Sequence, residues 1–328
     1  MRAFEYAHAT TVDEAKAALV DIKGEFLSGG TDLLCRLKDD VAQPDRLVYI
    51  KPIKTLAGVE VGDKAVTIGA GTRLVDLVND MTIAKSFPAL HQAALEVGTP
   101  QIRNMASVGG NLLQRPRCWY YRNGFGLLGM KDGMSLVRAG DNRYHAIFMT
   151  DGDALFTSPS SLATPLIALD ATATISGAKG ERTIPVAGLY QVPRTDKDRE
   201  LTIGAGEILT KVTIPVSAAN NATYETRQKQ SHDWPLVLCS VCLTMDGQKV
   251  SKAKVVIYGV APIPYRSEAA EQAIMGQAVL RETAEAAGTA AVKDAKPLSM
   301  NAYKVTLTRN VVKRALLAAV GNRYWEEA

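Results

Sequence analysis

Two glycine pairs constrain this chain most, because each ends a short apolar run and precedes small polar residues. The two segments read Phe26-Leu27-Ser28-Gly29-Gly30-Thr31-Asp32 and Ala106-Ser107-Val108-Gly109-Gly110-Asn111. Glycine has no Cβ, so successive backbone N–H groups can converge on one point and bind an anion. Thr31, Ser107 and Asn111 would add side-chain donors. A single Gly-Gly pair is more often a tight turn, but two such pairs favour loops that hold one pyrophosphate from two sides.

The two common nucleotide-binding motifs are both missing. No G-x-x-x-x-G-K-[ST] occurs, and Gly69-Ala70-Gly71 and Gly204-Ala205-Gly206 lack the third glycine of G-x-G-x-x-G. The segment Thr67-Ile68-Gly69-Ala70-Gly71 recurs at 202–206, but its flanks differ, so we interpret the repeat as coincidence. The sequence therefore disfavours a Rossmann or P-loop domain.

Composition indicates a globular chain of two or three domains. The 328 residues are 47% hydrophobic and 22% charged, and the net charge of +4 is spread along the chain, which predicts no nucleic-acid partner. No run approaches the roughly 18 apolar residues of a membrane span, and no signal peptide is recognised at the start. We expect a cytoplasmic protein, periplasmic only if an exported partner carries it.

Hydrophobic periodicity predicts a mixed helix and strand fold. A capping box at Thr11-Val12-Asp13-Glu14 predicts a helix through Val20, and a hairpin is expected around Gly62-Asp63. Further helices are predicted at 72–80, 89–97, 267–276 and 303–320, and strands at 26–27, 236–245 and 254–260. Residues 115–150 show little periodicity and are predicted to form an insertion on a domain surface.

Side chains that commonly carry chemistry are sparse. His8, His91, His145 and His232 do not have metal-ligand spacing, so no metal site is predicted. Cys239 and Cys242 form a C-x-x-C inside an apolar strand, where residues three apart face opposite sides, so both are predicted core residues. We predict no catalytic residue and expect a bound cofactor such as FAD to supply the chemistry.

Four segments resemble one known family. They are Ser28 to Leu33, Gln101 to Asn111, Glu207 to Pro215 and Gly259-Val260-Ala261-Pro262-Ile263-Pro264-Tyr265-Arg266. They are similar to the FAD-binding medium subunit of molybdenum hydroxylases, a family that includes xanthine dehydrogenases, carbon monoxide dehydrogenases, aldehyde oxidoreductases and 4-hydroxybenzoyl-CoA reductases. The matches run in the family's order over most of the chain.

The resemblance implies an α+β chain. It consists of a two-subdomain FAD-binding fold of the vanillyl-alcohol-oxidase type and a C-terminal α+β domain of the carbon monoxide dehydrogenase flavoprotein type. The implied domains are 1–60, 61–215 with the inserted loop 115–150, and 216–328. The implied FAD-binding residues are Ser28, Gly29, Gly30, Thr31, Asp32, Leu33, Ser107, Gly109, Gly110, Asn111, Ser161, Leu209 and Lys229.

The chain departs from the family pattern at two places. Family members often carry Ser-Asp-Leu after the second loop, with the aspartate on the ribose or adenine end of FAD, whereas here Ser161 stands in that position. The stretch Gln114-Arg115-Pro116-Arg117-Cys118-Trp119-Tyr120-Tyr121 resembles the start of a [4Fe–4S] loop. That cluster needs four thiolates and only Cys118 remains. We therefore expect no cluster on this chain and interpret the loop as a relic or a contact surface.

The resemblance implies an electron-transfer subunit that binds FAD non-covalently. Its partners would be a large subunit with the molybdenum cofactor and a small subunit with [2Fe–2S] clusters, in a hetero-oligomer such as a dimer of heterotrimers. Two alternatives stay open: a self-sufficient FAD-dependent reductase or oxidase of the same fold, and a scaffold that has lost FAD.

Overall fold

A computed structural model describes residues 1–229 and 231–326 of the chain. The first part is a three-stranded parallel sheet of order β1-β3-β2. Its elements are β1 (Glu5–His8), α1 (Val12–Ala17), β2 (Gly24–Leu27), α2 (Leu33–Lys38) and β3 (Arg46–Tyr49). Thr11 caps α1 as predicted, because its side chain accepts the Glu14 N–H. The helix ends three residues before the predicted Val20, since Leu19 N–H bonds to Lys16 in a tightened last turn.

The second part is a five-stranded antiparallel sheet of order β4-β5-β10-β8-β9. The helices of this part of the chain are α3 (Leu74–Asn79), α4 (Met81–Ser86), α5 (Pro88–Leu95), α6 (Pro100–Met105), α7 (Val108–Leu112), α8 (Trp119–Arg122), α9 (Leu136–Ala139) and α10 (Ala163–Ala168). The sheet consists of β4 (Val59–Val61), β5 (Ala65–Gly69), β8 (Thr172–Gly177), β9 (Gly180–Pro185) and β10 (Ile208–Pro215). The short strands β6 (Met130–Lys131) and β7 (Met134–Ser135) pair with each other in a separate two-stranded sheet. The predicted hairpin is confirmed, with Val61 opposite Val66.

The third part is a four-stranded antiparallel sheet of order β11-β12-β13-β14 with three helices. These elements are β11 (Asn220–Arg227), β12 (Pro235–Asp246), β13 (Lys249–Tyr258), β14 (Tyr265–Arg266), α11 (Glu268–Ile274), α12 (Arg281–Ala291) and α13 (Tyr303–Ala319). Cys239 lies in the apolar core under α13, while Cys242 packs against the core of the five-stranded sheet. The prediction that these cysteines are core residues on opposite faces of one strand is confirmed.

The last residues of the segment 115–150, which is predicted to be a surface insertion, are buried in the core. Ile147 and Phe148 belong to the core of the third part, and their N–H groups both donate to the Val260 carbonyl at 2.8 and 3.0 Å. Lys304, only 1% exposed, donates from Nζ to the carbonyls of Tyr144, His145 and Gly259 at 2.9, 3.0 and 2.6 Å. Long-range packing and a buried amine thus fix this end of a segment that has no local periodicity, and the insertion itself stays a prediction.

We keep the predicted division of the chain at residues 60 and 215 as a proposal. The first boundary passes through β4, and the second directly follows β10. Over residues 1–229 and 231–326, no helix has both the length and the apolar character that crossing a bilayer requires.

Candidate functional site

A cleft of about 730 Å³ lies between the three-stranded sheet and the five-stranded sheet. Its walls include both glycine loops and the segment that leads into β10. This volume is in the range of sites that bind small molecules and cofactors. The large apolar side chains that line it include Leu19, Phe26, Leu33, Val41, Ile50, Leu56, Leu113, Leu201, Ile203, Ile208 and Leu209.

The two glycine loops touch each other at one side of this cleft. The Ser28 and Ser107 hydroxyl oxygens are 2.9 Å apart and share a hydrogen bond. A Cβ at Gly29 would lie only 2.0 Å from the backbone oxygen of Met105. Glycine is therefore required where the first loop packs on the backbone that leads into the second. The structure brings together two motifs that are far apart in the sequence.

The first loop presents a row of unused backbone donors to the cleft. Gly29, Gly30, Thr31 and Asp32 all line the cleft, and within residues 1–229 and 231–326 none of their backbone N–H groups donates a hydrogen bond. Gly30 has a φ of 74°, a left-handed conformation that glycine adopts without strain. Such a run of free amides suits an anionic oxygen.

The second loop is built differently, because it forms the first turn of α7. The Ser107 hydroxyl accepts the Gly110 N–H at 3.2 Å, and Gly109 N–H donates to the Ala70 carbonyl at 2.7 Å. These N–H groups are engaged within the chain, unlike those of the first loop. Ser107, Gly109 and Gly110 nevertheless line the cleft, so this loop contributes shape and the Ser107 hydroxyl rather than a row of free amides.

The remaining residues that were predicted to bind FAD lie partly inside and partly outside the cleft. Leu33 and Leu209 line the cleft. Asn111 and Ser161 are buried outside its lining, and the Asn111 side-chain oxygen accepts the Ser160 hydroxyl at 2.9 Å. This bond ties α7 to the segment before α10. Lys229 is exposed in the bend after β11 and is not among the lining residues.

An arginine cluster around Asp32 is a feature for which the sequence analysis assigned no role. The Asp32 carboxylate forms ion pairs with Arg36 at 3.2 Å, Arg117 at 3.1 Å and Arg122 at 2.8 Å, and it accepts the Arg115 backbone N–H at 3.1 Å. Burial disfavours the ionised carboxylate, but these guanidinium groups together lower the pKa of Asp32 below its ordinary value. Asp32 thus fastens the first glycine loop to the segment 115–122.

Both copies of the Gly-Ala-Gly repeat contribute to the cleft. Ala70 and Gly71 line it after β5, and residues 204–206 line it before β10. Because β5 and β10 are antiparallel neighbours, the end of one strand lies beside the start of the other. Interpreting the repeat as coincidence overlooked this position. The first copy lies at the end of the hairpin predicted around Gly62-Asp63, and this was the available signal.

Cys118, in the segment that resembles the start of a [4Fe–4S] loop, lies beside His145. Cys118 Sγ lies 3.2 Å from His145 Nε2, and Trp119 packs edge-on against the His145 ring. Across the two described ranges, no group of three or more histidine, cysteine, aspartate or glutamate side chains is arranged to hold a metal ion. Burial, together with the positive charge of Lys304, lowers the pKa of His145 to about 4.

The neutral His145 makes the stability of this segment dependent on pH. Between pH 6.5 and about 4 the unfolded chain binds a proton at this histidine while the folded chain does not. We therefore expect the free energy of unfolding to fall by about 3 kcal/mol as the pH is lowered through this window. Urea unfolding at several pH values should show a flatter dependence for His145→Gln. The exposed control His8→Gln should retain the wild-type slope, and an equal slope in all three proteins would contradict this origin.

Two sequence families match the chain. The FAD binding domain in molybdopterin dehydrogenase matches residues 2–217, and the CO dehydrogenase flavoprotein C-terminal domain matches residues 222–319. These matches confirm the predicted fold class, an α+β FAD-binding fold followed by a C-terminal domain of the CO dehydrogenase flavoprotein type.

Similar proteins of known role match over nearly their full lengths. The aldehyde oxidoreductase FAD-binding subunit PaoB of Escherichia coli is 29% identical, with 97% of this chain and 99% of that protein covered. The carbon monoxide dehydrogenase medium chain of Hydrogenophaga pseudoflava is 28% identical, with 96% of each covered. A solved structure of the carbon monoxide dehydrogenase from Hydrogenophaga pseudoflava superposes with a TM-score of 0.76 at 27% identity, with 98% of each chain covered. The chain therefore belongs to the FAD-binding family of the molybdopterin dehydrogenases.

Proposed function

We propose that this chain binds FAD in the cleft and is the FAD-binding electron-transfer subunit of a molybdenum hydroxylase complex. It would pass electrons from [2Fe–2S] clusters to an external acceptor. The observation that carries the proposal is the row of free amide donors on the first glycine loop, held against the second loop in a chain of this family. The similarity to FAD-binding and medium subunits supports it.

The residues of the cleft fit a dinucleotide. The amides of Gly29 to Asp32 and the Ser107 hydroxyl would hold the diphosphate, and the apolar walls would cover the rings. FAD supplies the redox chemistry when bound, since a flavin exchanges electrons singly or in pairs. The chain binds the cofactor, orients it and limits the access of water. We propose Ser28, Leu33 and Leu209 as further contacts because they line the same cleft.

Three of the residues predicted to contact FAD, Asn111, Ser161 and Lys229, do not line the cleft. Asn111 and Ser161 lie behind the cleft wall, and we propose that they support the second loop through the Ser160 and Leu162 contacts of Asn111. Lys229 remains a proposed contact for a part of the cofactor that extends beyond the cleft towards the bend after β11. Thr31 keeps its proposed role through its backbone N–H.

The alternatives receive less support. The full-length similarity to subunits of larger enzymes favours a subunit over a self-sufficient FAD-dependent reductase or oxidase. A scaffold that has lost FAD is disfavoured because the cleft keeps its volume and its free donors. We propose a large molybdenum-cofactor subunit and a small [2Fe–2S] subunit as partners, in a dimer of heterotrimers, with a cytoplasmic location for the complex.

The direct test is the visible spectrum and metal content of the chain purified with its partners. We expect flavin absorption, molybdenum and about four iron atoms per set of subunits, which corresponds to two [2Fe–2S] clusters. About eight iron atoms would instead indicate a [4Fe–4S] cluster and contradict our interpretation of the loop around Cys118. A yellow chain that purifies alone, without iron or molybdenum, would favour the self-sufficient flavoenzyme. A colourless chain that does not bind added FAD would favour the scaffold.

A further inference from the structure

Most charged side chains that line the cleft already have a partner of opposite charge. Arg36 pairs with Glu25 at 2.6 Å, Arg115 contacts Glu200 at 2.8 Å, and Glu207 pairs with Arg182 at 2.8 Å. Arg199 and Lys23 also line the cleft, and neither makes an ion pair within residues 1–229 and 231–326. Two cations at the cleft wall are thus free to meet a ligand.

The backbone around Arg199 is fixed, which places this residue at a defined point of the wall. Gln191 Nε2 donates to the Arg199 carbonyl at 2.8 Å, and Gln191 N–H donates to the Glu200 carbonyl at 3.0 Å. Tyr190 and Leu201 form an antiparallel bridge beside them. Lys23, directly before β2, is held as well, because its carbonyl accepts the Asp45 and Arg46 N–H groups at 2.7 and 3.3 Å, and both cations are exposed. Arg199 differs from Lys23 in its planar guanidinium and in the charged groups that surround it.

The charges nearest Arg199 leave its guanidinium poorly compensated. Arg115 and Arg36 both repel it, while the nearby acids Glu200 and Glu25 are each paired with one of those arginines. Partial removal from water and the positive charge of Arg115 lower the pKa of Arg199. An arginine in such surroundings gains most from an added anion, and its planar fork matches phosphate oxygens.

We propose that Arg199 binds the diphosphate of the dinucleotide, together with the amide donors of the first glycine loop. This inference rests on the proposed FAD site and adds to it a charged ligand from a separate segment of the chain. Arg199 precedes the repeated Gly-Ala-Gly segment at 204–206 by five residues, and both line the same cleft. That placement gives the second copy of the repeat a role: its small residues leave space for the diphosphate beside the arginine.

The test is titration of the flavin-free full chain with FAD, ADP and riboflavin, by calorimetry or flavin fluorescence. We expect Arg199→Gln to weaken FAD and ADP binding about ten- to a hundredfold, the usual effect of losing one charge-assisted hydrogen bond. Riboflavin has no phosphate, so its affinity should not change. Arg199→Lys should recover part of the affinity. The control Arg194→Gln removes an exposed arginine of the same loop outside the cleft lining, and it should bind FAD like the wild type.

The outcomes separate this inference from the proposed function. Failure of the wild-type chain to bind FAD would contradict the proposed function itself. Normal FAD binding by wild type and by Arg199→Gln alike would overturn only the role of Arg199. An equal loss of riboflavin affinity would also overturn it. Urea unfolding of the flavin-free variant should show no loss of stability, because the arginine has no acidic partner to lose, whereas a clear loss would mean that Arg199 is structural.

Discussion

Replacing Gly29 with alanine is expected to abolish stable FAD binding and to destabilise the flavin-free chain by about 2–3 kcal/mol. The added Cβ would lie 2.0 Å from the Met105 carbonyl oxygen and 3.0 Å from Ala106 Cα. Both are backbone atoms, so no side chain can move aside. The first loop must withdraw, which breaks the hydrogen bond between Ser28 and Ser107 and displaces the free amides. The flavin-to-protein ratio and the urea midpoint measure the two effects.

Gly152→Ala is the matched control for this substitution. Its added Cβ would meet no atom within 4 Å, and its backbone does not have a positive φ. We expect this variant to keep wild-type flavin content and stability. If Gly29→Ala also kept wild-type flavin content and stability, the close contact between the two glycine loops would not be needed for FAD binding.

The first glycine loop was predictable because its signals are local. A short apolar run, two glycines and a small polar residue are enough to indicate a loop with converging amides. Its packing was not predictable, because the contact between Gly29 and Met105 joins backbone atoms from distant parts of the chain. The same holds for the Gly-Ala-Gly repeat, whose copies meet only because β5 and β10 are neighbours.

The arginine cluster around Asp32 could not be predicted from the sequence either. Arg115, Arg117 and Arg122 lie in a segment without periodicity, and their shared partner Asp32 is 90 positions before Arg122. Nothing in the local pattern links them. The sequence identified Asp32 as part of a binding loop, whereas the structure directs its carboxylate to three guanidinium groups. Helix α2 and strand β3 were also missed, since each is short and gains its stability from packing.

Replacing Asp32 with asparagine should therefore lower the free energy of unfolding by about 3–5 kcal/mol, which is more than the loss expected for Gly29→Ala. The change keeps the shape of the side chain but removes the negative charge that pairs with Arg36, Arg117 and Arg122. Leaving buried charges without their counter-charge is far more costly than losing an exposed ion pair. Urea unfolding of the full chain measures the loss, and the flavin content should fall because the first loop loses its anchor.

The Asp76→Asn variant provides the control, because Asp76 pairs with Arg73 at 2.6 Å while both side chains are nearly half exposed. An exposed pair contributes about 1 kcal/mol or less, so this variant should unfold almost like the wild type. The pH dependence gives a second readout. Since the folded pKa of Asp32 is lowered below 3.8, its contribution is present above that pH and is lost as the pH falls through the folded value. Asp32→Asn lacks this contribution at every pH, so the stability gap between it and the wild type should narrow in acid. A gap that stayed constant to low pH would mean that the carboxylate charge does not hold the loop to the arginine cluster.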